Sequence, residues 1–425
     1  MASVSSSSLA SFLLFLCLLY FSSFFNILDA KHGVANRHNR QHQHQHTHPH
    51  THYHPLNPRL YRAFLALQAW KRVIYSDPKN FTHNWVGHSV CNYTGVYCAP
   101  APDDPKLTVV AGIDLNFADM AGFLPEEFGL LSDLALLHLN SNRFCGILPT
   151  TLSNLTLLYE LDLSNNRFVG TFPMVVLSLC SLKYLDIRFN EFEGPLPPQL
   201  FNKSFDAVFV NNNWFTSAIP SNLGQSSASV LVFANNKFGG CVPESIVNLA
   251  DTLEELVLIN ISLSGCLPQE VGFLYKLRVF DVGFNNIVGP IPYSLAGLSH
   301  LEQLNLGHNM MSGMVPAGIC VLPNLKNFTF SYNFFCEEEG ICQNLTSKGI
   351  VFDDRRNCLP EKPLQRSQKE CNHVLDHPVD CLELCCPAIG SNVTTATGSV
   401  AIPPVSIPAA MPISSPLSAP SYSYP

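Results

Sequence analysis

The sequence predicts a leucine-rich-repeat solenoid, an α/β fold in which short parallel strands line one concave face. Apolar marker residues recur at spacings of 23 to 25 residues along the 425-residue chain. Asparagine follows the marker by three residues in eight of ten repeats, and proline follows it by ten residues in nine of ten. Three columns that keep one phase do not arise by chance. The ten markers are Leu115, Leu139, Leu163, Ile187, Val210, Phe233, Leu258, Val282, Leu306 and Phe330.

Each column has a physical role in such a solenoid. The marker and the residue two before it, for example Leu163 and Leu161, point inward from a short strand. The asparagine side chain can satisfy backbone groups of neighbouring coils. A glycine seven residues after the marker permits a tight bend, and the proline prevents further strand pairing. Because one coil cannot bury its apolar side alone, stacked coils share a continuous core.

Changes in composition divide the chain into six segments. An apolar stretch before Ala30 is typical of a secretory signal peptide. An uncleaved anchor is the alternative, although the stretch is short and broken for a spanning helix, and we expect no membrane span after cleavage. The predicted segments are the signal peptide (1–30), a histidine-rich low-complexity arm (31–54), an N-terminal cap (55–107), the repeats (108–342), a cysteine-rich C-terminal cap region (343–387) and a disordered Ser/Ala/Pro-rich tail (388–425).

Cysteines and sequons indicate an exported protein. Cleavage removes Cys17 and takes 15 cysteines to 14, an even number that favours disulfides. Cys241 and Cys266 each follow their marker by eight residues in adjacent coils. Since adjacent strands lie about 4.8 Å apart, we predict a disulfide between these two. The pairing of the C-terminal cysteines stays open. The predicted N-glycosylation sites are Asn80, Asn92, Asn154, Asn202, Asn260, Asn327, Asn344 and Asn392.

Several longer runs are more specific than the repeat itself. They are Leu56-Asn-Pro-Arg-Leu, Ala66-Leu-Gln-Ala-Trp-Lys, Asn84-Trp-Val-Gly and, after the last repeat, Phe352-Asp-Asp-Arg-Arg-Asn-Cys-Leu-Pro. With them the chain resembles the leucine-rich repeat extensins of plants, pollen members included, from about residue 56 to residue 381. The resemblance implies plant-type repeats of 24 residues with an N-terminal disulfide cap, in which Cys91 pairs with Cys98.

The resemblance also implies a function. In that family the repeat domain binds small basic cysteine-rich secreted peptides, the rapid alkalinisation factors, and an extensin tail anchors in the cell wall. Together they couple wall assembly to cell growth. The tail of this chain departs from the pattern, since it has scattered prolines instead of Ser-Pro-Pro-Pro-Pro blocks and a single Tyr-x-Tyr at Tyr422 and Tyr424. Covalent anchoring is therefore less well supported than peptide binding.

The concave face is the predicted binding surface, because strand residues that flank the inward positions point outward. Nine acids on it outnumber four bases, and aromatic residues are interleaved. This pattern suits a basic, partly apolar peptide; a merely solvated strand face is the alternative. The acids are Asp114, Glu160, Asp162, Asp186, Asp206, Glu254, Glu255, Asp281 and Glu302. The predicted ligand contacts are Tyr159, Asp162, Tyr184, Asp186, Phe209, Asp281, Phe284 and Glu302.

Other functions are less favoured. A formal net charge of −8 with only 13% charged residues argues against nucleic-acid binding. No catalytic motif, cofactor motif or fixed zinc pattern is present, so we expect no enzyme, cofactor or structural metal site. The alternating histidines of the arm, from His42 to His54, bind metal or acidic wall polysaccharide, or form a solvated linker. The remaining alternatives are a wall constituent in contact with wall glycoprotein, an inhibitor of polygalacturonase, and a homodimer.

Overall fold

The computed structural model describes residues 57–381. The predicted signal peptide, histidine-rich arm and tail, with Asn392, lie outside the described residues, and so do Cys385 and Cys386. Within this range the structure is the predicted leucine-rich-repeat solenoid. We call each repeat a coil and number the coils 1 to 10 by their markers, from Leu115 to Phe330.

A sheet of twelve strands forms the concave face. Its first two strands pair antiparallel, and every later neighbour pairs parallel. In order the strands are β1 (Val96–Pro100), β2 (Thr108–Asp114), β3 (Leu136–His138), β5 (Glu160–Asp162), β7 (Tyr184–Asp186), β9 (Ala207–Phe209), β11 (Val230–Val232), β12 (Glu255–Val257), β14 (Val279–Asp281), β16 (Gln303–Asn305), β18 (Asn327–Thr329) and β20 (Val351–Asp353).

Two further parallel sheets, each of four strands, lie on the flank where the coils turn away from the concave face. The first contains β4 (Cys145–Gly146), β6 (Arg167–Thr171), β8 (Glu191–Pro195) and β10 (Trp214–Thr216). The second contains β13 (Ser264–Gly265), β15 (Asn286–Gly289), β17 (Met310–Val315) and β19 (Phe334–Glu338). In coils 1 to 4 and 6 to 8, a short 3₁₀ helix then begins directly after the repeat proline, which supplies the extended N-cap residue. The 3₁₀ helices of the chain are Val90–Asn92, Glu126–Leu130, Thr150–Asn154, Met174–Ser178, Pro198–Asn202, Leu223–Gln225, Glu244–Leu249, Gln269–Phe273, Tyr293–Gly297, Gly340–Asn344 and Thr346–Lys348.

The repeat asparagines connect adjacent coils through side-chain hydrogen bonds. The Asn166 amide nitrogen donates to the carbonyl oxygens of Leu139, one coil back, and of Leu163, in its own coil, at 2.8 and 3.1 Å. Its amide oxygen accepts the backbone N–H of Phe144 at 2.9 Å. One buried side chain thus satisfies three backbone groups that the turn leaves without strand partners. In coil 7 the repeat asparagine is replaced by a buried isoleucine, Ile261.

An α-helix, α1 (Pro58–Val73), closes the N-terminal end. Asn57 caps it by accepting the first free backbone N–H groups, and Trp70 on its inner face is wholly buried against Phe128 of coil 1. The Cys91–Cys98 disulfide links the segment between α1 and β1 to β1 itself, as expected. The cap therefore covers the apolar end of the solenoid that coil 1 would otherwise expose.

The C-terminal end extends the solenoid beyond the predicted boundary at residue 342. Strand β20 pairs with β18, and Asn357 makes the same hydrogen bonds as the repeat asparagines, so a partial eleventh coil follows coil 10. A single helical turn, α2 (Ala317–Cys320), and the longer α3 (Gln368–Leu375) complete this end. Disulfides join Cys320 to Cys342 and Cys358 to Cys371.

The predicted Cys241–Cys266 disulfide is wrong. Cys266 bonds Cys381, 115 residues later in the chain, and Cys241 is itself disulfide-bonded. The phase of the two cysteines is as expected, but the segment after α3 returns along the flank and reaches coil 7. It enters beside Gly289, where a side chain would collide with both sulfurs of the Cys266–Cys381 bond.

Candidate functional site

The concave face presents two columns of outward side chains, fixed by the parallel register of the strands. The first column runs through Gly112, Leu136, Glu160, Tyr184, Ala207, Val230, Glu255, Val279, Gln303, Asn327 and Val351. The second runs through Asp114, His138, Asp162, Asp186, Phe209, Val232, Val257, Asp281, Asn305, Thr329 and Asp353. Three zones follow from them: acidic in coils 1 to 4, apolar in coils 5 to 7, and mixed charge from coil 7 to coil 9.

His138 lies at the centre of the acidic zone. Its Nε2 lies 3.1 Å from the Glu160 carboxylate, and Asp114 and Asp162 flank it in the same column. Burial opposes protonation of this imidazole, but the Glu160 hydrogen bond and the surrounding carboxylates outweigh burial and raise the pKa of His138. Even with a charged histidine, three carboxylates remain around it, so the zone is net negative.

Asp186 lies at the floor of this zone and its side chain has no exposed surface. Burial and the neighbouring Asp162 carboxylate raise its pKa to about 8, against the opposing effect of Arg188, whose Nε lies 3.0 Å from Oδ2. The Tyr184 hydroxyl also donates to this carboxylate at 3.3 Å. Asp186 therefore positions Arg188 and Tyr184 and is covered by them, so it cannot itself contact a ligand here.

The centre of the concave face is apolar. Phe209, Val232 and Val257 occupy successive positions of the second column, and Ala207 and Val230 lie beside them in the first. Phe209 is almost fully buried because Tyr184 packs on one side and the Arg188 guanidinium lies 5.2 Å from its ring centre. The valines are half-buried, so they are the accessible part of this apolar zone.

Charges alternate in the C-terminal part of the face. Arg278 donates to Glu302 through Nε and a terminal nitrogen at 2.9 and 2.6 Å, and Lys326 pairs with the same carboxylate. Hydrogen bonding from Lys326 and then from Arg278 lowers the pKa of Glu302 despite partial burial. Burial raises the pKa of both Glu255 and Asp281. Glu302 is thus neutralised by two cations, while Asp281 forms no ion pair within the described chain.

Three stacked rings border the face where the strands end. The His308 ring lies 4.0 Å from that of Phe284 and 4.2 Å from that of Tyr332, with only 11° between the planes in each pair. All three residues have a left-handed backbone with φ between 56° and 59°, because they occupy the same turn position of coils 8 to 10. The stack gives this edge of the face a rigid, half-exposed aromatic rim.

The predicted contact residues therefore divide into two groups. Tyr159, Phe284 and the partly exposed Asp162, Tyr184 and Asp281 lie on the accessible face or its rim. Asp186 and Phe209 are buried, and Glu302 is saturated by cations. The prediction missed His138, although it stands in the same column as Asp114 and Asp162, one residue before a marker. It also omitted Val232 and Val257, because the prediction rested on charged and aromatic residues and valine is neither.

The predicted glycosylation sites differ in position. Asn260 is exposed at the turn beside Phe284, and Asn327 is half-buried in β18 on the concave face itself. Asn80, Asn92, Asn154 and Asn202 are exposed elsewhere. Glycan occupancy of each asparagine remains a prediction.

Among residues 57–381, no group of three or more His, Cys, Asp or Glu side chains is placed to hold a metal, and no helix is long and apolar enough to cross a membrane.

Comparison with known proteins agrees with this architecture. The Leucine Rich Repeat family model matches residues 157–179 and 181–202. Among solved structures, the ectodomain of the Arabidopsis receptor kinase HAESA, in complex with the peptide hormone IDA and the co-receptor SERK1, is 26% identical with a TM-score of 0.62, over 70% of this chain and 50% of that one. A plant ice-binding protein, 23% identical with a TM-score of 0.58 over 72% of this chain and 97% of that one, shares the fold alone. The protein is thus a leucine-rich-repeat scaffold with the fold seen in the HAESA ectodomain.

Sequence relatives define the family. Leucine-rich repeat extensin-like protein 6 of Arabidopsis thaliana is 61% identical over 331 residues, which are 78% of this chain and 70% of the relative. Leucine-rich repeat extensin-like protein 2 of the same plant is 52% identical over 78% of this chain. The chain belongs to the leucine-rich repeat extensin-like family. The matched region covers only 42% of the length of the second relative. The activity and partners of that longer protein are therefore not assigned to this chain.

Proposed function

We propose that this protein is an extracellular, wall-associated, non-enzymatic scaffold that binds small basic cysteine-rich peptides of the rapid alkalinisation factor type on its concave face. The observation that carries the proposal is the order of zones on that face. An acidic zone around His138 and Asp162 is followed by accessible valines at positions 232 and 257. A basic peptide with an apolar centre complements this order in both charge and hydrophobicity.

Two comparisons support the proposal from outside the site. The HAESA ectodomain, which has the same fold, is seen in complex with a peptide hormone. The sequence relatives are named extensin-like, after a class of cell-wall protein. This name supports a second part of the proposal, in which the bound peptide signal is coupled to wall assembly and cell growth.

The test is direct binding. Secreted protein comprising residues 31–425 is titrated with a panel of rapid alkalinisation factor peptides in a calorimeter, with an acidic cysteine-rich peptide of similar size as control. We expect one or more basic peptides to bind and the acidic peptide not to bind. If folded, disulfide-bonded protein binds none of them, the proposal fails. Inhibition of a polygalacturonase, or resistance of the protein to extraction from walls by salt, would then favour the inhibitor or the wall-constituent alternative.

A further inference from the structure

We infer that an N-linked glycan at Asn202 lies over an apolar groove on the flank of coils 3 to 5 and covers it. We call this groove the flank groove. The inference builds on the predicted glycosylation of Asn202, which begins the sequon Asn202-Lys203-Ser204. The groove lies beside the 3₁₀ helices and away from the concave face, so its occupant leaves the proposed peptide site open.

The flank groove is an open apolar surface. It has a volume of about 590 Å³. Met174 is 53% exposed in it, and Pro195 and Pro198 are exposed as well. Contiguous exposed apolar surface of this kind normally marks a site of contact with another group. Its lining includes Phe172, Met174, Pro195, Pro198, Pro220 and Asn222.

Asn202 lies within reach of the flank groove, because one short helix connects the two. The 3₁₀ helix Pro198–Asn202 begins in the groove lining at Pro198 and ends at Asn202, which is exposed. Four residue steps of about 2.0 Å each put these two residues about 8 Å apart. The first two sugar residues of an N-linked glycan cover a distance of this order, so a glycan at Asn202 can lie on the groove.

Asn222, in the groove lining, fixes the orientation of the Asn202 side chain. Its amide nitrogen donates to Oδ1 of Asn202 at 3.0 Å and to the carbonyl oxygen of Pro198 at 2.9 Å. Nδ2 of Asn202, the atom that carries the sugar, has no hydrogen-bond partner within residues 57–381. The amide oxygen is thus held by a residue of the groove, while the nitrogen is free for the glycan.

The groove also contains a polar atom that a sugar residue would satisfy. Oδ1 of Asn222 is buried and has no hydrogen-bond partner in the part of the chain that the structure describes. A buried acceptor without a donor is destabilising, so such an atom normally has a partner. The acetamido N–H and the hydroxyls of N-acetylglucosamine are donors, and the C–H surface of its ring packs against proline. The core sugars of an N-linked glycan therefore match both the apolar and the polar parts of the groove.

Asn154 provides a comparison within the same solenoid. It ends the 3₁₀ helix of coil 2, as Asn202 ends that of coil 4, and it also begins a sequon. Asn222 is the twelfth residue after the marker of the coil that follows Asn202. The twelfth residue after the marker of the coil that follows Asn154 is Val175, whose side chain forms no hydrogen bonds. A glycan at Asn154 therefore lacks the anchor that Asn222 gives to Asn202.

Hydroxyl-radical oxidation followed by mass spectrometry tests this inference on the full chain secreted by plant cells. Met174 in the flank groove and Met310 in β17 are paired reporters, since their exposed fractions are similar, 53% and 46%. Mass spectrometry of the same samples measures glycan occupancy at Asn202. We expect Asn202 to be glycosylated and Met174 to be oxidised at least about fivefold more slowly than Met310.

Two sequon variants identify the glycan responsible. Ser204→Ala removes the sequon of Asn202 and keeps that side chain, so Met174 should then be oxidised as fast as the reference methionine. The control Thr156→Ala removes the sequon of Asn154 and should leave Met174 protected. Both substituted hydroxyls belong to exposed residues, so neither variant should change the melting temperature. Enzymatic removal of glycans from the folded wild-type protein should reproduce the result of Ser204→Ala.

Three results would overturn the inference. The first is an unmodified Asn202, and the second is equal oxidation of the two methionines in the glycosylated wild-type protein. The third is protection of Met174 that survives in Ser204→Ala or is lost in Thr156→Ala. If the surviving protection disappears on dilution, the occupant of the groove is a second copy of the chain. All of these outcomes are independent of peptide binding at the concave face, which the same samples can be assayed for separately.

Discussion

The Nε of Arg188 lies 3.0 Å from Oδ2 of Asp186, and this contact forms part of the floor of the acidic zone, where the Asp186 side chain has no exposed surface. The arginine side chain remains about one-third exposed and covers Phe209 with its guanidinium plane. A carboxylate that is buried in this way acts on the surface only through the groups above it. The acidic face is therefore built in two layers, a buried one that positions and an exposed one that can bind.

The burial of Asp186 predicts a specific pH dependence of stability. Its folded pKa of about 8 exceeds the ordinary value of 3.8, so the folded state holds a proton that the unfolded state releases. The associated stability is complete below about pH 4 and is lost as the pH rises through about 8. We expect Asp186→Asn to lose less stability than the wild type between pH 5 and pH 9, by about 4 kcal/mol. Thermal unfolding at the two pH values measures this. Equal losses in both proteins would contradict it, and Asp206→Asn, at an exposed position, is the control.

The asparagine column predicts a large local cost. Asn166→Leu would leave the N–H of Phe144 unsatisfied inside the solenoid. It would also remove one of the two asparagine donors from the carbonyl oxygens of Leu139 and Leu163, which keep Asn142 and Asn190 respectively. We expect a loss of about 3 kcal/mol or more in the free energy of unfolding, measured by chemical denaturation. The control is Asn324→Leu, which removes one exposed hydrogen bond to Ser299 and should cost under about 1 kcal/mol. Similar costs for both variants would mean that the column does not stabilise the coils.

The disulfide pattern predicts a particular set of peptides. Proteolysis of the non-reduced protein should yield a cross-linked pair that contains Cys266 and Cys381, and none that joins Cys241 to Cys266. Replacing both Cys266 and Cys381 with serine should cost more stability than replacing Cys91 and Cys98, since the loops closed are 115 and 7 residues. Chain entropy gives a difference of about 2 kcal/mol. A recovered Cys241–Cys266 peptide would reverse the correction made above.

The accessible aromatic residues predict where binding energy lies. Tyr159 is 46% exposed at the edge of the acidic zone, so Tyr159→Ala should weaken binding of a basic peptide about tenfold or more without changing the melting temperature. Tyr293→Ala, at an exposed position in the 3₁₀ helix of coil 8, should change neither affinity nor melting temperature. Calorimetry of both variants decides the matter. Equal affinities for the two variants would remove Tyr159 from the site.

Local periodicity made most of the fold predictable. The inward positions of Leu161 and Leu163 and the role of Asn166 follow from phase alone, because each coil repeats the contacts of the one before it. The Cys266–Cys381 bond could not follow from phase, since it depends on the path of a non-repeating segment. The burial of Asp186 could not be predicted from the repeat pattern either. It results from two long neighbours, Tyr184 and Arg188, whose side chains cover a position that is half-buried in every other coil except coil 5, where Phe209 is buried.

Salt dependence of peptide affinity tests the central claim most directly. Calorimetry with one basic rapid alkalinisation factor peptide is performed at about 50 mM and about 300 mM salt, conditions that change the Debye length more than twofold. If the exposed acids on the concave face attract the peptide, affinity falls at high salt, and Asp162→Asn lowers both the affinity and the salt effect. Binding that is insensitive to salt and to this substitution, or no binding at either concentration, would contradict the account.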